Sequence, residues 1–231
     1  MMFAEVDRVM ACSIESGQYI ESMGENVFAK KSADGIKKTK GFLQALYGFD
    51  RCNPEFLAFE YFWKETNPEE RPLLALLLAV CNDGLLAESV EVVAHVPLGT
   101  KANVDLFVRN IEKFRPKRYS SKTLLSTAQN LASSWKQAGF LEGKVKNIRV
   151  QPEITYRVLV FAIFLAHLRG LRGDYLWTAT STKALCSSEQ NLRELALEAA
   201  RNDMIQYQNA GGVTSLGFTT LYQKIGIYDI H

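Results

Sequence analysis

The sequence contains few of the residues on which metal binding and covalent cross-linking depend. It has only three histidines and four cysteines. The cysteines are far apart, and they form no CxxC motif and have no histidine at metal-ligand spacing. They are Cys12, Cys52, Cys81 and Cys186. We therefore expect buried thiols in a reducing cytoplasm, no bound metal and no cofactor.

Long apolar runs and an export signal are also missing. The two most apolar stretches, residues 72–80 and 158–168, fall well short of the roughly 20 residues that cross a bilayer. The first fifteen residues carry acids where a signal peptide requires a basic start. We therefore predict a cytoplasmic protein without a membrane span, in which both apolar stretches are central core helices.

Catalytic and nucleotide-binding motifs are absent as well. The sequence has no HExxH, GxSxG, GxxxxGK[ST] or GxGxxG. His167 lies inside an apolar segment, as core histidines do, and His95 lies where an apolar segment meets a loop. The acidic pairs, Glu69 with Glu70 and Glu194 with Glu198, are typical of helix caps and surfaces. We predict that the protein is not an enzyme.

The composition is otherwise that of a globular chain, but its charges are segregated. Overall the net charge is +2, with 47% hydrophobic and 23% charged residues. Residues 101–150 contain eleven Lys and Arg against three acids, a local charge of +8, and residues 30–40 add +4. The remainder of the chain therefore carries −10. This distribution suits a protein that presents one basic surface to a polyanion.

Residues 1–100 are predicted to form an N-terminal helical region that contains a basic helix over residues 32–47. Ser32 is a suitable N-cap for that helix. Its apolar residues recur at spacings of seven and four, and they are Ile36, Leu43 and Tyr47. The lysines at positions 37, 38 and 40 fall on other faces of this helix.

Residues 101–152 have the order of a winged-helix unit. An amphipathic helix stops before Pro116, and its inward residues are predicted to be Leu106, Phe107, Ile111 and Phe114. A second helix is capped by Ser120 or Ser121 and ends near Gly139. Its core stripe comprises Leu124, Ala128, Leu131, Trp135 and Ala138. The alternating segment that follows predicts a short strand or hairpin with its basic residues outside.

Residues 153–231 repeat this order less clearly. A buried helix over residues 154–169 precedes a helix that begins at Ser187 or Ser188. A hairpin is predicted over residues 204–218, at the strongest turn signal in the chain. The predicted fold is therefore mainly α, with two helical lobes that contain helix-turn-helix or winged-helix-like units and short β-hairpins.

The basic helix start and ribbon favour contact with DNA. Cations near a helix N-terminus attract phosphate, and short Ser, Thr, Gln and Asn side chains fit a major groove. The predicted contacts are Lys117, Arg118, Ser121, Lys122, Thr123, Gln129, Lys144, Lys146 and Arg149, with Lys37, Lys38 and Lys40 as an auxiliary patch. Two alternatives stay open: the polar face is merely solvated, or the basic patches bind an acidic protein.

Two short motifs resemble those of the BrxA family of bacteriophage exclusion (BREX) defence systems. The first comprises Tyr119, Ser120, Thr123, Gly139, Phe140 and Leu141. The second comprises Leu197, Ala200, Tyr207, Ala210 and Gly211. This resemblance implies a helix-rich protein that binds double-stranded DNA, has no catalytic activity and works with the other phage-defence proteins of its locus.

Overall fold

Helices dominate the computed structural model, which describes residues 1–143, 146–210 and 213–227. The first helices are α1 (Phe3–Ser13), α2 (Tyr19–Gly24), α3 (Ala33–Tyr47), α4 (Pro54–Glu65), α5 (Arg71–Asn82) and α6 (Gly84–His95). The other elements are α7 (Val104–Phe114), α8 (Ser121–Gln137), β1 (Leu141–Glu142), β2 (Ile148–Arg149), α9 (Tyr156–Leu168), α10 (Tyr175–Thr178), α11 (Thr180–Lys183), α12 (Glu189–Arg201), β3 (Gln206–Ala210), β4 (Val213–Gly217) and α13 (Thr219–Ile225). The predicted mainly α fold with short β-hairpins is confirmed.

Side-chain caps mark the helix starts that the sequence predicts. Ser32 Oγ accepts the Gly35 N–H at the start of α3, and Asn53 caps α4 with Pro54 in its first turn. Ser120 caps α8, and Ser188 caps α12. Each cap satisfies a backbone N–H that the first turn of a helix leaves without a partner.

The centre of the protein is formed by α5 and α9. Residues 73–80 and 158–166, which cover most of both helices, are all buried. The buried apolar residues form one continuous core from Val6 to Ile227, so the two predicted lobes share it. Among the described residues no single helix is long and apolar enough to cross a membrane. Helices α5 and α6 meet that criterion only as a joined pair, which is bent by 120°.

Helices α7 and α8 pack against each other, and α6 packs against both of them. The hairpin after α8 is antiparallel, with Leu141 opposite Arg149 and Glu142 opposite Ile148. Residues 99–102 lie along the other edge of β2, where the Arg149 N–H donates to the Thr100 carbonyl (2.8 Å). This unit therefore runs α6, the extended segment 99–102, α7, α8, β1 and β2.

The core stripe predicted for α8 is confirmed, because all five of its residues are buried. In α7, Phe107 and Ile111 are buried, but the inward orientation predicted for Phe114 is wrong, since it is 46% exposed. Phe114 is the last residue of its helix. Its side chain there extends beyond the surface that α8 covers.

The C-terminal part repeats the same order with different residues. Helix α12 packs on α9 and on β3, and β3 pairs with β4 in antiparallel register from Gln206–Gly217 to Ala210–Val213. The predicted C-terminal helix and hairpin are therefore confirmed. Residues 211–212 of the predicted turn, including Gly211 of the second motif, lie outside the described residues.

Candidate nucleic-acid interface

The turn between α7 and α8 places three basic side chains at the start of a helix. Lys117 has a left-handed backbone (φ +56°), and the Arg118 guanidinium lies 5.9 Å from the centre of the Tyr119 ring. Ser120 Oγ accepts the Thr123 N–H (3.3 Å), while the N–H groups of the two preceding residues lack partners within the helix. Free N–H groups and the helix dipole both favour an anion at this end.

Some basic side chains near this turn form ion pairs within the protein, and others do not. Lys113 pairs with Glu91 (2.6 Å), and Arg115 pairs with Glu88 (2.9 Å). In contrast, Lys117, Arg118 and Lys122 are exposed and pair with no carboxylate in the described part of the chain. The charge of these three cations is therefore available to an external anion.

The polar face of α8 is accessible, and the N-terminal segment contacts its last turn. Ser121, Thr123 and Gln129 are exposed, and the Thr123 hydroxyl lies 3.0 Å from Ser120 Oγ, within the cap. Further along the helix, Gln137 Oε1 accepts the Phe3 N–H (3.0 Å) and Ser134 Oγ accepts from the Met1 nitrogen (2.7 Å). The N-terminal segment therefore contacts the end of this helix, although Ser133 and Gln137 stay exposed.

The ribbon is only partly as predicted. Lys146 is exposed, and Lys144 lies outside the described residues. The outward orientation predicted for Arg149 is wrong, because this residue is only 3% exposed. Its guanidinium donates to the Val93 carbonyl (3.1 Å) and to Gln151 Oε1 (2.9 Å), and it lies 5.2 Å from the Phe140 ring. Arg149 therefore connects α6 to the hairpin and cannot contact phosphate.

Two of the three auxiliary lysines on α3 have partners within the protein. Lys38 pairs with Asp34 (2.7 Å), and Lys40 donates to the Ile20 carbonyl (3.3 Å) on α2. Lys37 is exposed and has no carboxylate partner within the described ranges. The +4 charge counted along the chain therefore overstates the number of lysines without partners on this helix.

One basic residue of the ribbon was missed by the sequence prediction. Lys101 is exposed and bridges Ile148 across the edge of β2, and the Ala102 N–H donates to the Asn147 carbonyl (2.7 Å). These contacts bring Lys101 beside the strand that follows Lys146. The local charge of +8 includes this residue, but only the strand pairing shows where it lies.

The corresponding helix of the C-terminal part has the opposite charge. Glu194 and Glu198 are exposed on α12, as is Glu189. Arg193 is held within the protein: it pairs with Glu189 (2.6 Å), donates to Thr214 Oγ1 (2.8 Å) and lies over the Trp177 ring (5.0 Å). An acidic face repels phosphate, so the exposed face of α12 differs in this respect from the basic start of α8.

The histidines and cysteines of the described ranges do not cluster. The described residues contain no group of three or more His, Cys, Asp or Glu that could hold a metal ion. Burial lowers the pKa of His167 to about 4, and its ring lies 4.6 Å from that of Phe218. Cys81 is half-buried, but the burial predicted for Cys12 and Cys52 is wrong, because both are exposed.

No protein-family model, curated protein or solved structure matches the chain significantly.

Proposed function

We propose that this protein is a non-catalytic, cytoplasmic accessory protein that binds double-stranded DNA, mainly through phosphates and with low sequence selectivity. The observation that carries the proposal is the group of three exposed, unpaired cations at the start of α8, namely Lys117, Arg118 and Lys122. Phosphate contacts of this kind supply most of the affinity of non-specific DNA binding.

The order of elements from α6 to β2 supports a winged-helix mode of binding. In this mode the first half of α8 enters the major groove, and its N-terminal residues approach the base edges. Gln129 is exposed on that half and can pair with adenine. Lys146, in the loop between β1 and β2, and Lys101, in the segment beside β2, contact the flanking backbone as a wing does. Because phosphates supply most of the contacts in this mode, we expect weak sequence preference.

We further propose that the protein serves a BREX phage-defence system together with other proteins of that system. This part rests on the resemblance of the two short motifs to the BrxA family. The first motif includes the cap of α8 and the hairpin start, since Ser120 caps the helix and Leu141 begins β1. Its residues therefore build the unit to which we assign DNA binding.

The decisive experiment measures DNA affinity at several salt concentrations. The triple variant Lys117→Ala, Arg118→Ala, Lys122→Ala removes three phosphate contacts, so the slope of log affinity against log salt should fall by about 3. A matched variant removes three exposed cations elsewhere, at Lys31, Arg201 and Lys224. If duplex DNA does not bind at low salt, or if both triple variants weaken binding equally, the proposal fails.

A protein–protein adaptor is the second candidate. The ion pairs that Lys113 and Arg115 form with Glu91 and Glu88 show that carboxylates satisfy cations of this turn. An acidic partner protein would then replace DNA on the three unpaired cations. Reversal of Lys117, Arg118 and Lys122 to Glu separates the two functions: loss of a protein partner in a pull-down, with no DNA binding by the wild type, supports the adaptor.

A further inference from the structure

The exposed side of α12 has an open groove with unpaired carboxylates beside it. The groove has a volume of about 590 Å³, lies between α12 and β3, and is lined by Leu197 and Tyr207. Glu194 and Glu198 are exposed one helical turn apart, and neither forms an ion pair within the described ranges. Glu194 Oε1 accepts the side-chain amide of Gln190 (3.1 Å), which carries no charge. Both carboxylates are therefore available to a cation of another molecule.

An exposed leucine accompanies the charges on both α12 and α8. Leu197 lies between Glu194 and Glu198 in the sequence, and it is 47% exposed. Leu125 is also 47% exposed, and it lies on α8 three residues after Lys122, whose charge has no partner in the described part of the chain. Residues three apart on a helix are neighbours, so each leucine adjoins a charge. The two helices therefore offer similar apolar surface beside charges of opposite sign.

These two surfaces lie on the same side of the protein. One cleft of about 770 Å³ is lined by Phe114, the last residue of α7, and by Glu189 and Leu192 in the first turn of α12. Lys117 follows Phe114 by three residues, so the basic start of α8 and the acidic helix α12 flank this cleft. A side with positive charge at one end and negative charge at the other is complementary to itself after a two-fold rotation.

We propose that two copies of this chain form a two-fold symmetric dimer, in which the start of α8 in each copy docks on α12 of the other. Lys122 contacts the partner's Glu194, and Leu125 enters the groove beside the partner's Leu197. The rotation repeats each contact, and the exposed Phe114 adds apolar surface between the two contacts. A second copy is the occupant because one chain carries both unpaired charges on one side. The same cations contact phosphate in the proposed function, so DNA and the second copy exclude each other there.

The test is analytical ultracentrifugation of the wild-type protein without DNA, at low and high salt, over a concentration range of about a hundredfold. We expect a monomer–dimer equilibrium that high salt weakens, because exposed charges are screened. Lys122→Glu and Glu194→Lys each bring like charges together, so each should weaken the dimer at least about tenfold. The controls Lys31→Glu and Glu65→Lys make the same charge changes at exposed residues on other parts of the surface. A monomer at every concentration in low salt, or equal weakening by the controls, overturns the proposal.

A charge exchange between the two variants provides a second readout and shows that both are folded. In a mixture of the Lys122→Glu and Glu194→Lys proteins, both contacts of the mixed dimer again join opposite charges. We therefore expect mixed dimers whose affinity is within about threefold of wild type. Variants that stay monomeric when mixed, or assembly that continues beyond a dimer, contradict the two-fold arrangement. DNA binding is measured separately, so failure of the proposed function and failure of the dimer give different results.

Discussion

Arg149 provides the sharpest test of which basic residues support the fold and which contact DNA. It is a buried cation whose hydrogen-bond acceptors are backbone carbonyls and an amide, with no carboxylate among them in the described part of the protein. Burial lowers the pKa of its guanidinium. Its hydrogen bonds to Val93, Val150 and Gln151 offset the cost of burying the charge.

The substitution Arg149→Ala leaves the carbonyls of Val93 and Val150 without this donor. Each buried, unsatisfied acceptor costs about 1–3 kcal/mol, and relief from burying a charge offsets part of that cost. Contact with the Phe140 ring is also lost. We therefore expect the free energy of unfolding to fall by about 2–4 kcal/mol. Urea titration followed by tryptophan fluorescence measures this change.

Arg149→Lys separates a structural role from a phosphate contact. Lysine keeps the charge but lacks the planar fork that reaches several acceptors at once, so we expect it to restore little of the lost stability. The DNA affinity of both variants, measured well below their unfolding midpoints, should stay within about threefold of wild type. A stability loss below about 1 kcal/mol, combined with a tenfold loss of DNA affinity that lysine restores, would refute the reasoning.

Two further predictions follow from burial. His167 has a folded-state pKa of about 4, below its ordinary value of 6.5, so the unfolded chain binds more protons between these values. Stability is therefore full above about pH 6.5 and should fall by about 2–3 kcal/mol towards pH 4, a decline that His167→Phe removes in thermal unfolding curves. Burial also raises the thiol pKa of Cys81 and Cys186 to about 11. We expect both to react slowly with iodoacetamide at pH 8, with Cys12 reacting fast; equal rates in single-cysteine variants would contradict this.

Local sequence determines where the helices begin and which faces are buried. The caps at Ser32, Ser120 and Ser188 form within one helical turn, so they depend on residues that are close along the chain. The apolar residues of α8 recur with the period of a helix, which identifies the buried face of α8 whichever element packs on it. For these reasons the mainly α fold, both hairpins and the basic start of α8 could be predicted from the sequence.

Tertiary structure alone decides which basic side chains are available. Charge along the chain includes Lys113, Arg115 and Arg149 in the basic segment, but each of them has a partner on α6, namely Glu91, Glu88 and the Val93 carbonyl. Alternating apolar and polar residues along a strand show that one of its faces is buried. The elements that pack against the strand determine which face that is. Contacts with α6 therefore bury Arg149 and pair Lys113 and Arg115 with carboxylates, while Lys117, Arg118 and Lys122 are exposed and reach no acid in the described residues.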